Sequence, residues 1–312
     1  MSATPGVDHA AALIRAGKLV AFPTETVYGL GANALDEAAV ERIFLAKGRP
    51  HTSPLIVHVD SIDMAKSLAS RWPDAAETLA RRYWPGPLTL VVAKWGRSPD
   101  LPMAGLDACP VSVPDIVTAG LPTVGLRMPA HPLALELIRT AGVPIAAPSA
   151  NRFMRLSPTA AAHIDEALAD YVLDGGPAQV GIESTVLSLV DEAVLLRPGV
   201  IPLPEIEALI GPVRRAADPT EGPHASPGQH PKHYSPKTRL YLIAPGAPAP
   251  EGRGVLLRLG QEMPADPLQY AAALYDALHR ADMAGYEWIA VEQPPETPEW
   301  AGVLDRLRRA AD

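Results

Sequence analysis

Cysteine is nearly missing from this sequence: Cys109 is the only one in 312 residues. A lone thiol excludes an intrachain disulfide and a cysteine-built zinc site. It also suits a reducing compartment, so a cytoplasmic protein is expected. Long apolar runs are missing too. Nothing approaches the roughly 18 consecutive apolar residues of a membrane-spanning helix, so no membrane association is expected. Met1 to Gly6 carry neither a basic n-region nor an apolar h-region, which argues against a secretory signal. Positive charge is the scarcer sign: 27 Lys and Arg against 35 Asp and Glu leave a net charge of −8. A protein that grips nucleic acid through many phosphates presents a basic face. Strong direct RNA binding is therefore not expected, whereas a small basic pocket for a nucleotide remains open.

What is present is core material. Hydrophobic residues make up 47% and charged residues 20%, the balance of a globular chain long enough for one large domain or two ordinary ones. Over the first two thirds, strand-like and helix-like segments alternate. Strands are predicted at Lys18–Phe22, Leu55–Val59, Leu88–Val92, Thr123–Arg127, Val143–Ala147, Ser184–Val190 and Ala193–Arg197. Helices are predicted at Asp36–Ala46, with Asp36 as N-cap and Gly48 past its end, and at Pro132–Ala141. A third is predicted at Pro158–Ala169, with Ser157 as N-cap and Pro158 at the first helical position. This alternation predicts an α/β sheet domain. Some strands are too close in sequence for a crossover helix, which makes the sheet mixed. The 35 prolines are about twice the usual share. Many gather in Gly211–Thr238, a Pro-, Gly- and His-rich stretch without period that reads as a linker. Beyond it, strands at Arg239–Ile243, Gly254–Leu259 and Trp288–Val291 and helices at Pro267–Ala281 and near Pro298–Ala310 make a second, small α/β domain. The predicted division is 1–211, 212–238 and 239–312.

Several segments place reactive or ligand-binding side chains at strand or helix ends. Pro23-Thr24-Glu25-Thr26-Val27-Tyr28-Gly29 offers hydroxyls, a carboxylate and a phenol after a buried strand, where α/β sheets hold ligands. A polar turn is the plain alternative for any one threonine. Lys47-Gly48-Arg49 sets two cations at a helix end, fit to converge on a polyphosphate or simply to complement the helix dipole. Pro148-Ser149-Ala150-Asn151 follows a strand and reads as a phosphate binder or an Asx turn. Ser184, in Gly181–Thr185, and Arg197, in Leu196–Gly199, complete the set. His58 and Arg127 lie in apolar strands. The histidine is most simply structural, but an arginine there needs an anionic partner, either a substrate carboxylate or an internal Asp. Gly29–Ala34 matches a relaxed dinucleotide fingerprint, yet its glycines do not directly follow the strand, so it reads as a chance match. His224, His230 and His233 invite a zinc site that their Pro-rich, cysteine-free setting does not support, and no metal site is assigned. Walker A, HExxH and G-x-S-x-G motifs are absent.

Taken in order, these segments resemble the YrdC-like family of threonylcarbamoyl-AMP synthases. Lys47-x-Arg49 with Ser149-x-Asn151 resembles the family's signature pair. Around it stand PTETVYGLG (23–31), PLIVHV (54–59), WPGPLT (84–89), VPDIVTAG (113–120), LRMPAHP (126–132), LDGGP (173–177), GIEST (181–185) and LRPG (196–199). The likeness covers about residues 7–211, and SPGQHPKHYSP (226–236) resembles the connector of the long, two-domain form. The chain departs from the pattern at Ser53, where Asn is common, and at Arg152-Phe153-Met154-Arg155, where small residues with glycine are usual. Ser98–Ser112 reads as an extended loop, and the C-terminal domain is short.

The resemblance implies a YrdC-like domain with a twisted mixed sheet flanked by helices, plus a small C-terminal Rossmann-like α/β domain. It implies L-threonine, bicarbonate and ATP as substrates, with Mg²⁺ entering on ATP and bridging phosphate oxygens. The product would be threonylcarbamoyl-adenylate, passed to separate transfer machinery that modifies adenosine in tRNA. Lys47, Arg49, Ser149 and Asn151 are then the catalytic candidates, and with Arg197 they are the candidates for ATP. Thr26, His58, Arg127 and Ser184 are the candidates for threonine, Arg127 pairing its carboxylate. Thr24 and Tyr28 would line the cavity, and His233 and Tyr234 of the linker would form a lid. An RNA-binding module or an ATP sensor without turnover is the alternative. Carbamoyl transfer from carbamoyl phosphate is disfavoured by the single cysteine and the short C-terminal region.

Overall fold

The computed structural model describes residues 5–95, 112–216 and 233–311. The 98–112 loop, except Ser112, lies outside them, as do the middle of the linker with His224 and His230, and Cys109. Ten strands form one sheet: β1 (Val20–Phe22), β2 (Gly29–Asn33), β3 (Ile56–His58), β4 (Leu88–Ala93), β5 (Thr123–Arg127), β6 (Ile145–Ala146), β7 (Tyr171–Val172), β8 (Thr185–Ser188), β9 (Val194–Arg197) and β10 (Arg214–Arg215). Their spatial order is β10-β9-β8-β4-β5-β3-β6-β2-β1-β7. Parallel pairs such as β3/β5 and β4/β8 alternate with antiparallel pairs such as β4/β5 and β1/β2, so the sheet is mixed. Three more strands, β11 (Arg239–Ile243), β12 (Gly254–Leu257) and β13 (Trp288–Glu292), form an all-parallel sheet with β13 in the middle.

The helices are α1 (Pro5–Arg15), α2 (Glu37–Lys47), α3 (Ile62–Leu68), α4 (Asp74–Tyr83), α5 (Asp115–Thr118), α6 (Pro132–Ala141), α7 (Leu203–Ile210), α8 (Pro267–Met283) and α9 (Ala301–Ala310). They cover both faces of the large sheet, and period-two alternation of β1 shows how. Leu19 and Ala21 face the core beneath α2, whereas Val20 and Phe22 join Ala134, Leu137 and Ile138 of α6 and Val7, Ala10 and Ile14 of α1. Helix α2 begins where Asp36 accepts the Ala39 N–H and ends at Gly48, whose φ of 63° closes the last turn.

One sequence expectation needs correction, and one motif is explained. Residues 158–169 do not form a helix but two short 3₁₀ turns, Ala161–His163 and Glu166–Leu168. The carbonyls that a helix would use internally are taken by other segments: Pro158 accepts the Tyr28 N–H and Thr159 accepts the Ala178 N–H. The Ser157 hydroxyl caps nothing and instead donates to Glu183. Gly29–Asn33, set aside as a chance nucleotide fingerprint, is strand β2. There the Phe22 ring lies so close that a Cβ on Gly31 would meet its Cε1 at 2.8 Å, so the glycine serves packing.

The C-terminal unit shares its core with the first region. Its apolar cluster, built on Tyr270, Leu274, Ile289, Val303 and Leu307, also contains Val27, Leu156 and Ile182 of the first region and Tyr234 of the connector. At the same seam the rings of His163 and His279 stack, 4.0 Å apart and 19° from parallel. Burial holds both below the usual histidine pKa, His279 at about 4. Such a group binds fewer protons folded than unfolded, so its stabilisation is complete above about pH 6.5 and is lost as pH falls towards 4. The thermal midpoint is therefore expected to drop between pH 7 and 5. His279→Gln is expected to flatten that slope, and an unchanged slope in calorimetric melts at several pH values would remove the stack as its source.

Candidate active site

One cavity gathers most of the residues singled out in the sequence. It measures about 540 Å³ counted with its open mouth, and its wall contains Thr24, Thr26, Arg49, His58, Arg127, Ser149, Ser184, Arg197, His233 and Tyr234, with Val27, Ile56 and Glu183 between them. Strand ends supply most of this wall: β1 leads into Thr24 and Thr26, β3 ends in His58, β5 in Arg127, β9 in Arg197, and Ser184 immediately precedes β8.

The cations are positioned by backbone carbonyls. Arg49 Nη2 donates to Pro54 O at 3.1 Å, and its Nε lies 3.4 Å from Ser53 O. The atypical Ser53 thus takes part through its main chain. Arg197 donates through Nε and Nη2 to Ser184 O at 3.1 and 3.0 Å, and through Nη2 to Ser184 Oγ at 3.2 Å. Burial lowers the pKa of both, Arg49 to about 10, and the nearby Arg197 charge adds to the lowering at Arg49. Arg127 donates to Gly86 O and forms a buried ion pair with Glu25 at 2.7 Å, and the other Glu25 oxygen accepts the Ala130 N–H. The internal acid that the sequence demanded for Arg127 is Glu25 rather than an Asp. His58 is pushed down to about 3, first by burial and then by the Arg127 charge, so it stands neutral at the cavity.

Three expected residues lie outside the wall. Lys47 is buried and donates to the carbonyls of Ser149, at 2.5 Å, and Asn151, fastening the Pro148–Asn151 loop from behind. Burial holds its pKa well below the ordinary lysine value. Asn151 Nδ2 donates to Arg152 O and Arg155 O, at 2.9 and 2.8 Å, which is the turn-forming role. Tyr28 does not line the cavity. Its hydroxyl sits 2.8 Å from Gly176 O, accepts the Gly175 N–H, and is raised to about 12 chiefly by burial. Within the wall, Thr24 also closes a turn, since its Oγ1 donates to Val27 O at 2.6 Å and accepts from Thr26 N.

The end of the connector supplies His233 and Tyr234 to the wall. His233 packs edge-on against Tyr234 at 4.1 Å and against Phe153 at 5.9 Å, so the atypical bulky segment after Asn151 supports the connector. The Ser235 N–H donates to Met154 O. Tyr234 has φ 63°, a left-handed conformation that a tyrosine keeps only where its surroundings fix it. Its buried hydroxyl makes no hydrogen bond among the described residues.

Sequence reasoning noted the Glu25 carboxylate without a role and assigned none to Glu183 or Thr89. Glu183 accepts from Ser157 at 2.5 Å, Tyr275 at 3.1 Å and Arg306 at 2.7 Å, the last two from the C-terminal unit. Burial would raise its pKa, but the charges of Arg306 and Arg197 outweigh it and the net shift is downward. Thr89 Oγ1 lies 2.8 Å from Ser184 Oγ. The usable signal was the two glutamates themselves, each in an otherwise apolar or hydroxyl-bearing segment beside a buried strand.

Comparison with known proteins places the chain in a family. A family model described as telomere recombination, covering Sua5, YciO and YrdC, matches residues 12–199, and the model of the threonylcarbamoyl-AMP synthase C-terminal domain matches residues 201–312. The threonylcarbamoyl-AMP synthase of Pyrococcus abyssi is 41% identical over 97% of this chain and 93% of its own length. That of Bacillus subtilis is 42% identical over 98% and 93%. The crystal structure of the Pyrococcus abyssi protein Sua5 complexed with L-threonine superposes with a TM-score of 0.87 at 39% identity, covering 98% of this chain and 94% of that one. Matched along both regions, the chain belongs to the threonylcarbamoyl-AMP synthase family in its long form, with the additional C-terminal domain.

Proposed function

We propose that the chain condenses L-threonine, bicarbonate and ATP into threonylcarbamoyl-adenylate and pyrophosphate, as a nucleotidyltransferase serving N6-threonylcarbamoyladenosine formation in tRNA. The observation that carries this reading is the convergence of Arg49, Arg127 and Arg197 on one cavity whose wall also offers Thr26, Ser149 and Ser184. Threonine's amine adds to the bicarbonate carbon and water leaves, giving a carbamate. A carbamate oxygen attacks the α-phosphorus of ATP. The new P–O bond forms as the bond from the α-phosphorus to the β-bridging oxygen breaks, and pyrophosphate departs with that electron pair. This chemistry asks no covalent nucleophile of the protein. It asks that two anions be held together and that charge moving onto pyrophosphate be met by fixed donors.

Arg49, Arg197 and Ser149 take the nucleotide phosphates, while Lys47 and Asn151 act one layer behind, through the loop they fasten. Arg127, oriented by Glu25 and Gly86, takes the threonine carboxylate. Thr26, neutral His58 and Ser184 serve its amine and hydroxyl, and Thr24 shapes the turn that presents Thr26. A site that hydrogen-bonds the threonine hydroxyl rejects alanine strongly and serine only modestly. Mg²⁺ enters as part of the MgATP substrate. Among the described residues no group of three or more His, Cys, Asp or Glu is arranged to hold a metal, and Glu25 and Glu183 are engaged by arginines. The cation is then carried by phosphate oxygens and water. His233 and Tyr234 close the mouth and keep water from the adenylate. The intermediate then passes to a separate transfer enzyme, in the cytoplasm. No helix among the described residues is long and apolar enough to cross a membrane.

The test follows pyrophosphate release from ATP, Mg²⁺ and bicarbonate with and without L-threonine, and detects the adenylate by mass spectrometry. Arg49→Ala and Arg197→Ala, checked for folding by circular dichroism, are each expected to lower threonine-dependent release by about 10²–10³-fold. ATP binding without threonine-dependent release would favour the sensor instead. His233→Ala removes a connector ring that is not part of the shared apolar cluster and spares the core that Tyr234→Ala would empty. It is expected to raise the ratio of AMP to adenylate, and an unchanged ratio would discard the lid.

A further inference from the structure

The C-terminal unit contributes a side chain to the neighbourhood of the cavity. Arg306 of α9 is fully buried, and it spends its guanidinium on two segments of the first region. Nε meets the Glu183 carboxylate at 2.7 Å, and Nη2 donates to the Glu183 carbonyl at 3.2 Å. Nη1 donates to the Pro198 carbonyl at 2.9 Å and pairs with Asp305 at 2.7 Å. Glu183 directly precedes Ser184 and Pro198 directly follows Arg197. Arg197 in turn donates to Ser184 O. One guanidinium therefore ties together, one residue away on each side, the two chain segments that carry a serine and an arginine of the wall.

The backbone at this seam is shaped for that contact. A Cβ on Gly302 of α9 would meet Gly199 O at 2.5 Å, and a Cβ on Gly181 would meet Ala271 O of α8 at 2.4 Å. Both helices thus lie directly on the backbone of the segments holding Ser184 and Arg197. Docking alone does not call for a buried arginine, because apolar residues of similar volume hold such a seam as well or better. A planar fork that reaches one carboxylate and two carbonyls at once fixes relative geometry instead.

We propose that Arg306 is a positioning residue for the substrate cavity, holding Ser184 and Arg197 in register through Glu183 and the Pro198 carbonyl. The assignment rests on the reading of Arg197 as a nucleotide ligand. It makes the C-terminal unit a structural half of the site without touching substrate itself.

The test uses the full chain and calorimetric titration with an ATP analogue that carries a methylene in place of the α,β-bridging oxygen. Melting curves are recorded in parallel. Arg306→Lys keeps the charge and loses the fork, and it is expected to weaken nucleotide binding by about tenfold, the loss of one or two charge-assisted hydrogen bonds. Arg306→Met is expected to weaken it further and to make binding depend on pH near neutrality. Without its main cation the buried Glu183 takes up a proton more readily, facing only Arg197 on β9, Asp305 on α9, Tyr275 on α8, Ser157, and His233 and Tyr234 of the connector. Arg306→Met combined with Glu183→Gln removes both charges, so it guards against misfolding. It is expected to lose the pH dependence while keeping the weakened affinity. Nucleotide affinity within twofold of the unmodified chain in all three variants, with only the melting point lowered, would overturn the positioning role. Failure of the unmodified chain to bind the analogue would instead remove the reading of the cavity, and this proposal with it.

Discussion

Positive charge buried at strand and helix ends is the constraint on which the rest of this structure depends. Lys47, Arg49, Arg127 and Arg197 are all less than a tenth exposed, and Glu25 and Glu183 are the carboxylates buried beside them. Desolvation alone disfavours such cations, and the lowered pKa values of Lys47, Arg49 and Arg197 register it. The protein tolerates the arrangement by giving every one of these side chains a backbone carbonyl, an acid or both. The incomplete compensation is chemically useful. On the proposed reading, anionic substrates relieve this surplus positive charge, so part of their binding free energy comes from solvation the buried cations have already lost.

The same constraint explains the irregular segments. Residues 157–160 abandon a helix that their sequence favours because the carbonyls of Pro158 and Thr159 and the Ser157 hydroxyl are needed by Tyr28, Ala178 and Glu183. Tyr234 holds a left-handed backbone so that its ring can lie between the cavity, Tyr275 and Arg306, whose guanidinium is 5.2 Å from the ring centre. Irregularity concentrates where several elements compete to satisfy one buried polar cluster.

This also marks what was legible in the sequence. Helix α2 could be read complete with its caps, because Asp36 and Gly48 act locally. The strands at Thr123–Arg127 and Arg239–Ile243 could be read to the residue, because their apolar runs are bounded by polar or turn residues. Ordered motifs pointed to ten residues of the cavity wall. They did not separate the residues in the wall from those supporting it. Lys47 and Asn151 sit in the most recognisable motifs yet face backbone carbonyls, and Tyr28 belongs to a hydroxyl network with Gly175 and Gly176. Arg306 was out of reach altogether. In sequence it is one of several arginines on an amphipathic helix, and only the fold reveals that it is the one with no exposed surface.

The ion pair between Arg306 and Glu183 spans 123 residues of chain. At a synthesis rate of roughly 5–20 residues per second, its two ends emerge from the ribosome about 6–25 s apart. Throughout that interval the nascent first region carries a glutamate without its main cation and an apolar rim at Val27, Leu156 and Ile182 without its cover. The buried polar cluster around Glu183 and the apolar cluster beneath it are thus completed only after α9 has been made.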